Sequence, residues 1–382
     1  MCTRILLNYE DGSFTSRTMD WHTKLDTNIW AFPKGIKRYS MNEGSKHLFH
    51  WTSKYSSLVV CESFRIDKSN DKVSASADGI NEEGLVVNSL WLSESNYKLA
   101  VDKSKKNHLS IGIWVQHTLD NYKNVKEAVL DWRKENYQIV TMQMPGEGTN
   151  TNMHISISDA KGDSAIFEFY SDNENENAKL HITTNLDIEG TKDVKILHSD
   201  CPVMTNSPVF EQQIQLNYFW SWQWKNFNNS AMQAANKDSQ LKTLPGTSRA
   251  TDRFARASFY LNSIDKTKKG DYERIAQAFS LIKTVTVPIG YRRRDKDTPN
   301  ISNTLWTSVY DHNKIRLYFQ TSYLPNTYWC DMRQLILDDK NDLLCYLIDD
   351  TKHINDIING GDISSHMVIR KSTDFTFLLS SD

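Results

Sequence analysis

The spacing of apolar residues changes period along the chain. The first part reads as short β-type runs: TRILLNYE and SFTSRTMDW, separated by the turn signal EDGS. LFHWTSKYSSLVVCESF and KVSASADGINEEGLVVNSLWL continue the pattern, the second broken at DGINEEG. In NYKNVKEAVLDWRKENY, Val125, Ala128, Val129 and Trp132 fall at helical spacing and predict a helix. HISISDAKGDSAIFEFY returns to a hairpin turning at AKGD. Helices are predicted around 210–227 and 249–263, and a third through DYERIAQAFSLIKTV, where Ile275, Ala278, Phe279 and Ile282 are in phase. TLWTSVYDHNKIRLYFQTS predicts a last hairpin, turning at DHNK. Strands, a helix, strands, helices and strands again suggest one mixed α+β domain over 1–382 with layered sheets, not a doubly wound βαβ repeat. EGTNTN and RRRDKDTPN, with Arg292–Arg294, read as solvated loops rather than domain boundaries.

Composition narrows the classes. A chain of 382 residues with a 39% hydrophobic fraction, 24% charged residues and a net charge of −2 has the balance of a globular protein. Nothing in that balance points to nucleic acid or to an acidic membrane surface, and no apolar run is long enough to span a bilayer. As written, no secretory signal stands in front of Cys2, so the literal reading is cytoplasmic. The 11 His are scattered without metal-ligand spacing, and no GxGxxG, P-loop, GxSxG or HExxH motif appears, so neither cofactor nor metal is expected. The 11 Trp are more distinctive, three of them alternating in YFWSWQWKNF at 218–227. That stretch reads as core, subunit contact or pocket rim; a carbohydrate-binding module is the non-enzyme reading it allows.

Cys2, Cys61, Cys201, Cys330 and Cys345 form no CxxC pair, and their odd number argues against a disulfide framework or zinc cluster. Four lie in apolar stretches such as SLVVCESF and DLLCYLI and read as buried thiols. Cys2 stands apart by position. Removal of Met1 would leave a thiol and a free α-amine on one residue. An α-amine titrates near about 7.7–8.0, so it can take the thiol proton directly or through one water. In SRTMDW, Arg17 and Asp20 end a strand that should pair with the first. Asp20 would then approach the new N-terminus, and Arg17 would lower the thiol pKa by its charge. Spacing alone favours a surface Arg–Asp pair.

Five ordered segments make the chain resemble a known family. MCTRILL followed by SRTMDW is similar to the opening of the choloylglycine hydrolase family, N-terminal nucleophile hydrolases that include bile salt hydrolases and penicillin V acylases. DGINEEGLVVNSLWL resembles its NE.GL strand, VMTNSPVFEQQIQLNYF its TN.P.F segment, LPGTSRATDRFARASF its LPG…SRF.RA segment, and VTVPIG with LWTSVYDHNKIRLYFQT its closing hairpin. The resemblance runs from Cys2 to about residue 325.

The resemblance implies a four-layer αββα sandwich, hydrolysis of a linear amide, and a homotetramer. It makes Cys2 the nucleophile, Arg17 and Asp20 the pair that positions and polarises it, Asn206 a side-chain oxyanion donor, and Arg253 the arginine completing the cluster. The second oxyanion donor is a backbone N–H that falls by count at Trp91. Asn185 in HITTNLD is a rival for the side-chain donor, with Asn206 preferred for its TN.P context. MDW and NSLWL resemble the Gram-negative branch, whose members resemble periplasmic proteins with a signal cut just before the cysteine. RATDRF departs from the small serines usual there. Trp21 and Trp91 together would make a flat, apolar acyl pocket. That ranks penicillin V and N-acyl homoserine lactones as substrates above conjugated bile salts, the alternative within the family.

Overall fold

The molecule is described by a computed structural model covering residues 2–41, 49–65, 72–97, 107–145, 148–171, 178–192, 194–227, 244–267, 270–290, 302–337, 342–348 and 360–380. In chain order the strands are β1 (Thr3–Tyr9), β2 (Gly12–Trp21), β3 (Asp26–Phe32), β4 (Lys37–Tyr39), β5 (His50–Thr52), β6 (Ser57–Arg65), β7 (Lys72–Asn81), β8 (Val86–Trp91), β9 (Asn107–Ser110), β10 (Tyr137–Val140), β11 (Met153–Ser158), β12 (Ser164–Tyr170), β13 (Lys179–Thr184), β14 (Lys195–His198), β15 (Val203–Thr205), β16 (Asn303–Asp311), β17 (Arg316–Thr321), β18 (Tyr328–Asp331), β19 (Asp342–Leu347), β20 (Gly361–Asp362) and β21 (Val368–Lys371). The α-helices are α1 (Trp114–Asn121), α2 (Val125–Trp132), α3 (Phe210–Phe227), α4 (Ala250–Ser263) and α5 (Asp271–Lys283).

Two large sheets carry the fold. One runs in the order β15-β1-β2-β16-β17-β18-β20, the other β14-β13-β12-β11-β8-β7-β6-β3-β19-β21. Strand β6 shows why both form a layered core. Its inward residues Leu58 and Val60 share a cluster with Ile5 and Leu7 of the first sheet and with Phe254, Leu281 and Ile282 of α4 and α5. Its alternate residues Val59 and Cys61 face the other way, onto Trp114, Leu119, Val129 and Trp132 of α1 and α2. A strand covered on both faces needs apolar residues at both parities, which is why SLVVC reads as an unbroken apolar run. Helices therefore lie outside each sheet, α1 and α2 on one and α4 and α5 on the other, as the αββα sandwich requires.

The sequence pattern missed one helix. In α1 seven residues are buried, Gln116, His117, Thr118 and Asp120 among them. Buried polar residues erase the apolar stripe that periodicity detects. Their hydrogen bonds explain the burial: Gln116 Nε2 donates to Ser57 Oγ (3.0 Å) and Asp120 Oδ1 (2.8 Å), and Thr118 Oγ1 donates to the Trp114 carbonyl (2.9 Å). The other expected helices form at 125–132, 210–227, 250–263 and 271–283, and the turns at 10–11, 159–163 and 312–315 join the expected hairpins. Arg292–Arg294 lie outside the described residues.

Candidate active site

The β1–β2 hairpin builds the centre of the site. Its register pairs Thr3 with Thr18 and Arg4 with Arg17, which sets Cys2 beside Met19 and Asp20. The Asp20 backbone N–H donates to Cys2 Sγ at 3.5 Å, and Arg17 Nη2 lies 3.8 Å from the same sulfur. Strand β2 is central, between β1 and β16, so Arg17 and Asp20 are buried rather than a surface pair. They also do not pair with each other. Where β16 meets β2 the register shifts between Thr304 and Trp306, an irregularity that leaves Thr304 opposite Asp20. Thr304 Oγ1 donates to Asp20 Oδ1 at 2.6 Å, while Arg253 Nη1 holds Asp20 Oδ2 at 2.5 Å.

Arg17 fills a gap between two strands of the second sheet. Strand β7 pairs with β8 only as far as Asp78 with Asn88. Beyond that point Arg17 takes the place of the ladder: Nη2 donates to the Ser89 carbonyl at 2.7 Å and Nη1 to the Ala77 carbonyl at 3.4 Å. Asp78 lies 4.0 Å from the guanidinium, and Trp306 stacks over it with its ring 4.7 Å away. Burial acts to lower the Arg17 pKa, but the charges of Cys2, Asp78 and Glu62 outweigh it and raise the value. Burial pushes Asp78 up to about 7 against the pull of Arg17. It does the same to Glu62, up to about 7, although Thr27 and Trp306 donate to that carboxyl.

Asn206 links the nucleophile to the strand opposite. Its Oδ1 accepts from the Cys2 backbone N–H, and its Nδ2 donates to the Trp91 carbonyl at 2.6 Å. Arg253 Nη2 reaches the Cys2 carbonyl at 3.3 Å and Asn206 Oδ1 at 3.5 Å. The orientation of Trp91 follows from its ladder. The Leu92 N–H donates to the Asn152 carbonyl at 3.1 Å, so Leu92 and Asn152 are a hydrogen-bonded pair, and the neighbouring pair Trp91–Met153 is the non-bonded kind. The Trp91 N–H and C=O therefore both point away from β11, toward the gap that holds Arg17 and Asn206. Asn185, the rival, is occupied elsewhere: its Oδ1 accepts from the Ser164 N–H (2.9 Å) and its Nδ2 donates to the Gly162 carbonyl (3.3 Å), bracing the 159–163 turn.

A cavity of about 70 Å³ opens on the sulfur. Trp21 and Trp91 wall it with ring centroids 5.6 Å apart, and Met142, Met144, Met153 and Leu378 complete an apolar lining. Glu62 reaches this wall, and nothing in the sequence singled it out or Leu378. The larger open clefts at Lys24–Asn28 have no cysteine in their lining. None of this cavity's lining residues comes from 218–224. Burial pushes the other four thiols up, Cys330 and Cys345 to about 12 and Cys61 and Cys201 also well above the ordinary thiol range. Among the described residues no group of His, Cys, Asp and Glu is arranged to hold a metal ion.

Residues 2–346 match the linear amide C–N hydrolases of the choloylglycine hydrolase family. The chain belongs to that family. It is an enzyme that hydrolyses linear amides, and its cysteine stands directly ahead of β1. It is 36% identical over 349 residues to penicillin V acylase of Pectobacterium atrosepticum, covering 87% of this chain and 81% of that one. The solved penicillin V acylase of Agrobacterium tumefaciens superposes with a TM-score of 0.75 at 34% identity, covering 99% of both chains. A variant of the conjugated bile acid hydrolase of Clostridium perfringens shares the fold, with a TM-score of 0.69 at 22% identity over 92% of this chain and 98% of that one. Among the described residues no helix is long and apolar enough to cross a membrane.

Proposed function

We propose that this hydrolase works as one catalytic domain that removes aromatic or linear acyl groups from amides of the penicillin V and N-acyl homoserine lactone type, with Cys2 as nucleophile once Met1 is gone. The observation that carries the reading is that Cys2 Sγ, flanked by Arg17 and the Asp20 N–H, opens onto a narrow apolar cavity walled by Trp21 and Trp91.

The steps follow from the same contacts. The free α-amine of Cys2 takes the thiol proton, and Arg17 favours the thiolate by charge. Sulfur attacks the acyl carbon, and the carbonyl electrons move to oxygen. Two donors face that oxyanion: the Trp91 N–H and the second amide hydrogen of Asn206, whose first is spent on the Trp91 carbonyl. The ammonium then protonates the leaving nitrogen and the C–N bond breaks. A water, deprotonated by the amine, hydrolyses the thioester. Asp20, held by Arg253 and Thr304, orients the amine.

Flat indole walls favour a phenoxyacetyl group or a straight chain over a steroid nucleus, through stacking and burial worth about 25 cal/mol per Å². A comparison of kcat/KM on penicillin V, a long-chain N-acyl homoserine lactone and glycocholate tests this. Penicillin V and the lactone should exceed glycocholate by about tenfold or more. Glycocholate as the best substrate overturns the ranking. We also propose a homotetramer. Tyr218, Phe219 and Trp222 of α3 are exposed at 72%, 49% and 57% and are suited to a subunit contact.

A further inference from the structure

The residues that match the family end at 346, yet one wall of the cavity comes from beyond them. The segment Phe375–Ser380 runs alongside β7. The Ser74 N–H donates to the Thr376 carbonyl and the Leu378 N–H to the Ser74 carbonyl, both at 2.8 Å. Phe375 packs edge-on against Trp30 (4.6 Å) and Phe32 (5.1 Å), and Arg38 lies 5.1 Å over the Phe377 ring. Beyond them Ser380 is buried and doubly tied: its N–H donates to Ser110 Oγ and its Oγ to the Val140 carbonyl, both at 2.9 Å. Leu378 lies between these anchors and lines the cavity that Cys2 opens onto.

Gly112 makes this approach possible. A methyl group there would run into the Leu378 carbonyl oxygen and come within 2.7 Å of Met142 Cε. Only a residue without a side chain lets the segment lie this close. The Gly112 carbonyl is itself fixed by Ser76 Oγ at 3.1 Å. Four of the lining residues, Met19, Met142, Met144 and Met153, are methionine, an unbranched side chain that adapts to its contents. Leu378 differs in carrying a shorter, branched side chain on a backbone held on both sides.

We propose that Phe375–Ser380 is part of the acyl pocket and that Leu378 sets the length of acyl group the enzyme accepts. This rests on the cavity being the acyl site. The adaptable methionines take up the shape of the acyl group, and the fixed leucine stops it. The family-matched residues supply the chemistry, and this later segment supplies the limit.

The test is kcat/KM across straight-chain N-acyl amides of one amine, graded from short to long, for the wild type, Leu378→Ala and Leu378→Trp. Leu378→Ala should raise the long-to-short ratio by about tenfold, and Leu378→Trp should lower it by a similar factor. A leucine that only supports the fold would change all substrates alike and leave the ratio fixed. That result, in variants with wild-type melting temperatures, overturns the proposal. If Leu378→Ala does not fold, Leu378→Val keeps the backbone ties and shortens the side chain. Its ratio must rise, and an unchanged ratio overturns the proposal equally. A wild type inert on the whole series would sink the acyl-amide reading instead, so the two failures are distinguishable.

Discussion

Two buried Arg–Asp clusters lie under opposite helical layers of the sandwich, and one adjoins the candidate active site. In the outer layer Arg38 Nε donates to Asp120 Oδ2 at 2.9 Å, Trp51 Nε1 to the same oxygen at 2.8 Å and Gln116 Nε2 to Oδ1 at 2.8 Å. Phe32 and Phe377 cover the guanidinium at 4.7 and 5.1 Å. Both Asp120 oxygens are satisfied. Beneath α4, Arg253 and Thr304 satisfy Asp20 just as fully. What differs is the neighbourhood. Cys2 Sγ, flanked by Arg17 and the Asp20 N–H, borders a cavity walled by Trp21 and Trp91. A buried ion pair is thus a framework in both places. What sets the candidate site apart is that its framework leaves a thiol beside empty space.

The largest effect should fall on the group the outer cluster lacks. Cys2→Ser should fold with an unchanged melting temperature and lose activity by about 10⁴-fold or more, because an alcohol is far less ionised than a thiol. A variant within tenfold of wild type would make the two clusters equivalent and remove the basis of the comparison.

Crossing the clusters gives the next effect. Asp120→Ala strands a buried guanidinium and should cost about 3–5 kcal/mol of stability by urea unfolding, with kcat per folded molecule unchanged. Asn206→Ala should do the reverse. It should lower kcat by about two to three orders of magnitude with KM nearly constant, since the oxyanion exists only in the transition state. If Asn185→Ala gave that kinetic loss while Asn206→Ala was silent, the assignment of donors would be wrong. Asn185 braces a turn, so its removal is expected to appear in the melting temperature alone.

The sequence showed these clusters unequally. Cys2, Arg17, Asp20, Asn206 and Arg253 were legible because each sits in a short segment whose order resembles the family. The two sheets were legible as alternating or unbroken apolar runs. Arg38–Asp120 was not legible, because it joins a short edge strand to a helix whose buried face is polar, and neither has an apolar period to detect. Leu378 was invisible for another reason. One of two adjacent leucines in DFTFLLSS carries no signal until the chain folds back along β7, and that contact is set by backbone hydrogen bonds. Glu62 looked like an ordinary charged residue at the end of a strand. Only the facing sheet, whose β16 brings Trp306 over it, shows that it is buried.

The smallest effect is a slope rather than a loss, and it separates Asp78 from the surrounding framework. Asp78 faces Arg17, Tyr310, Ser308 and Asn88, and burial raises its pKa from 3.8 to about 7. In the unfolded chain it releases its proton near 3.8, whereas in the folded protein it keeps the proton until about 7. Between those values the folded state binds more protons, so stability must fall as pH rises. The contribution is fully present below 3.8 and is lost on passing about 7. Glu62, raised from 4.5 to about 7, adds a slope of the same sign. Urea unfolding across this range should show stability decreasing toward neutrality, with each acid contributing on the order of 1 kcal/mol per pH unit. Asp78→Asn cannot titrate and should flatten part of that slope, and adding Glu62→Gln should flatten it further. If the Asp78→Asn slope matched the wild type, the buried carboxyl behind Arg17 would already be ionised at low pH. Arg17 would then be neutralised by Asp78 instead of free to polarise the cysteine.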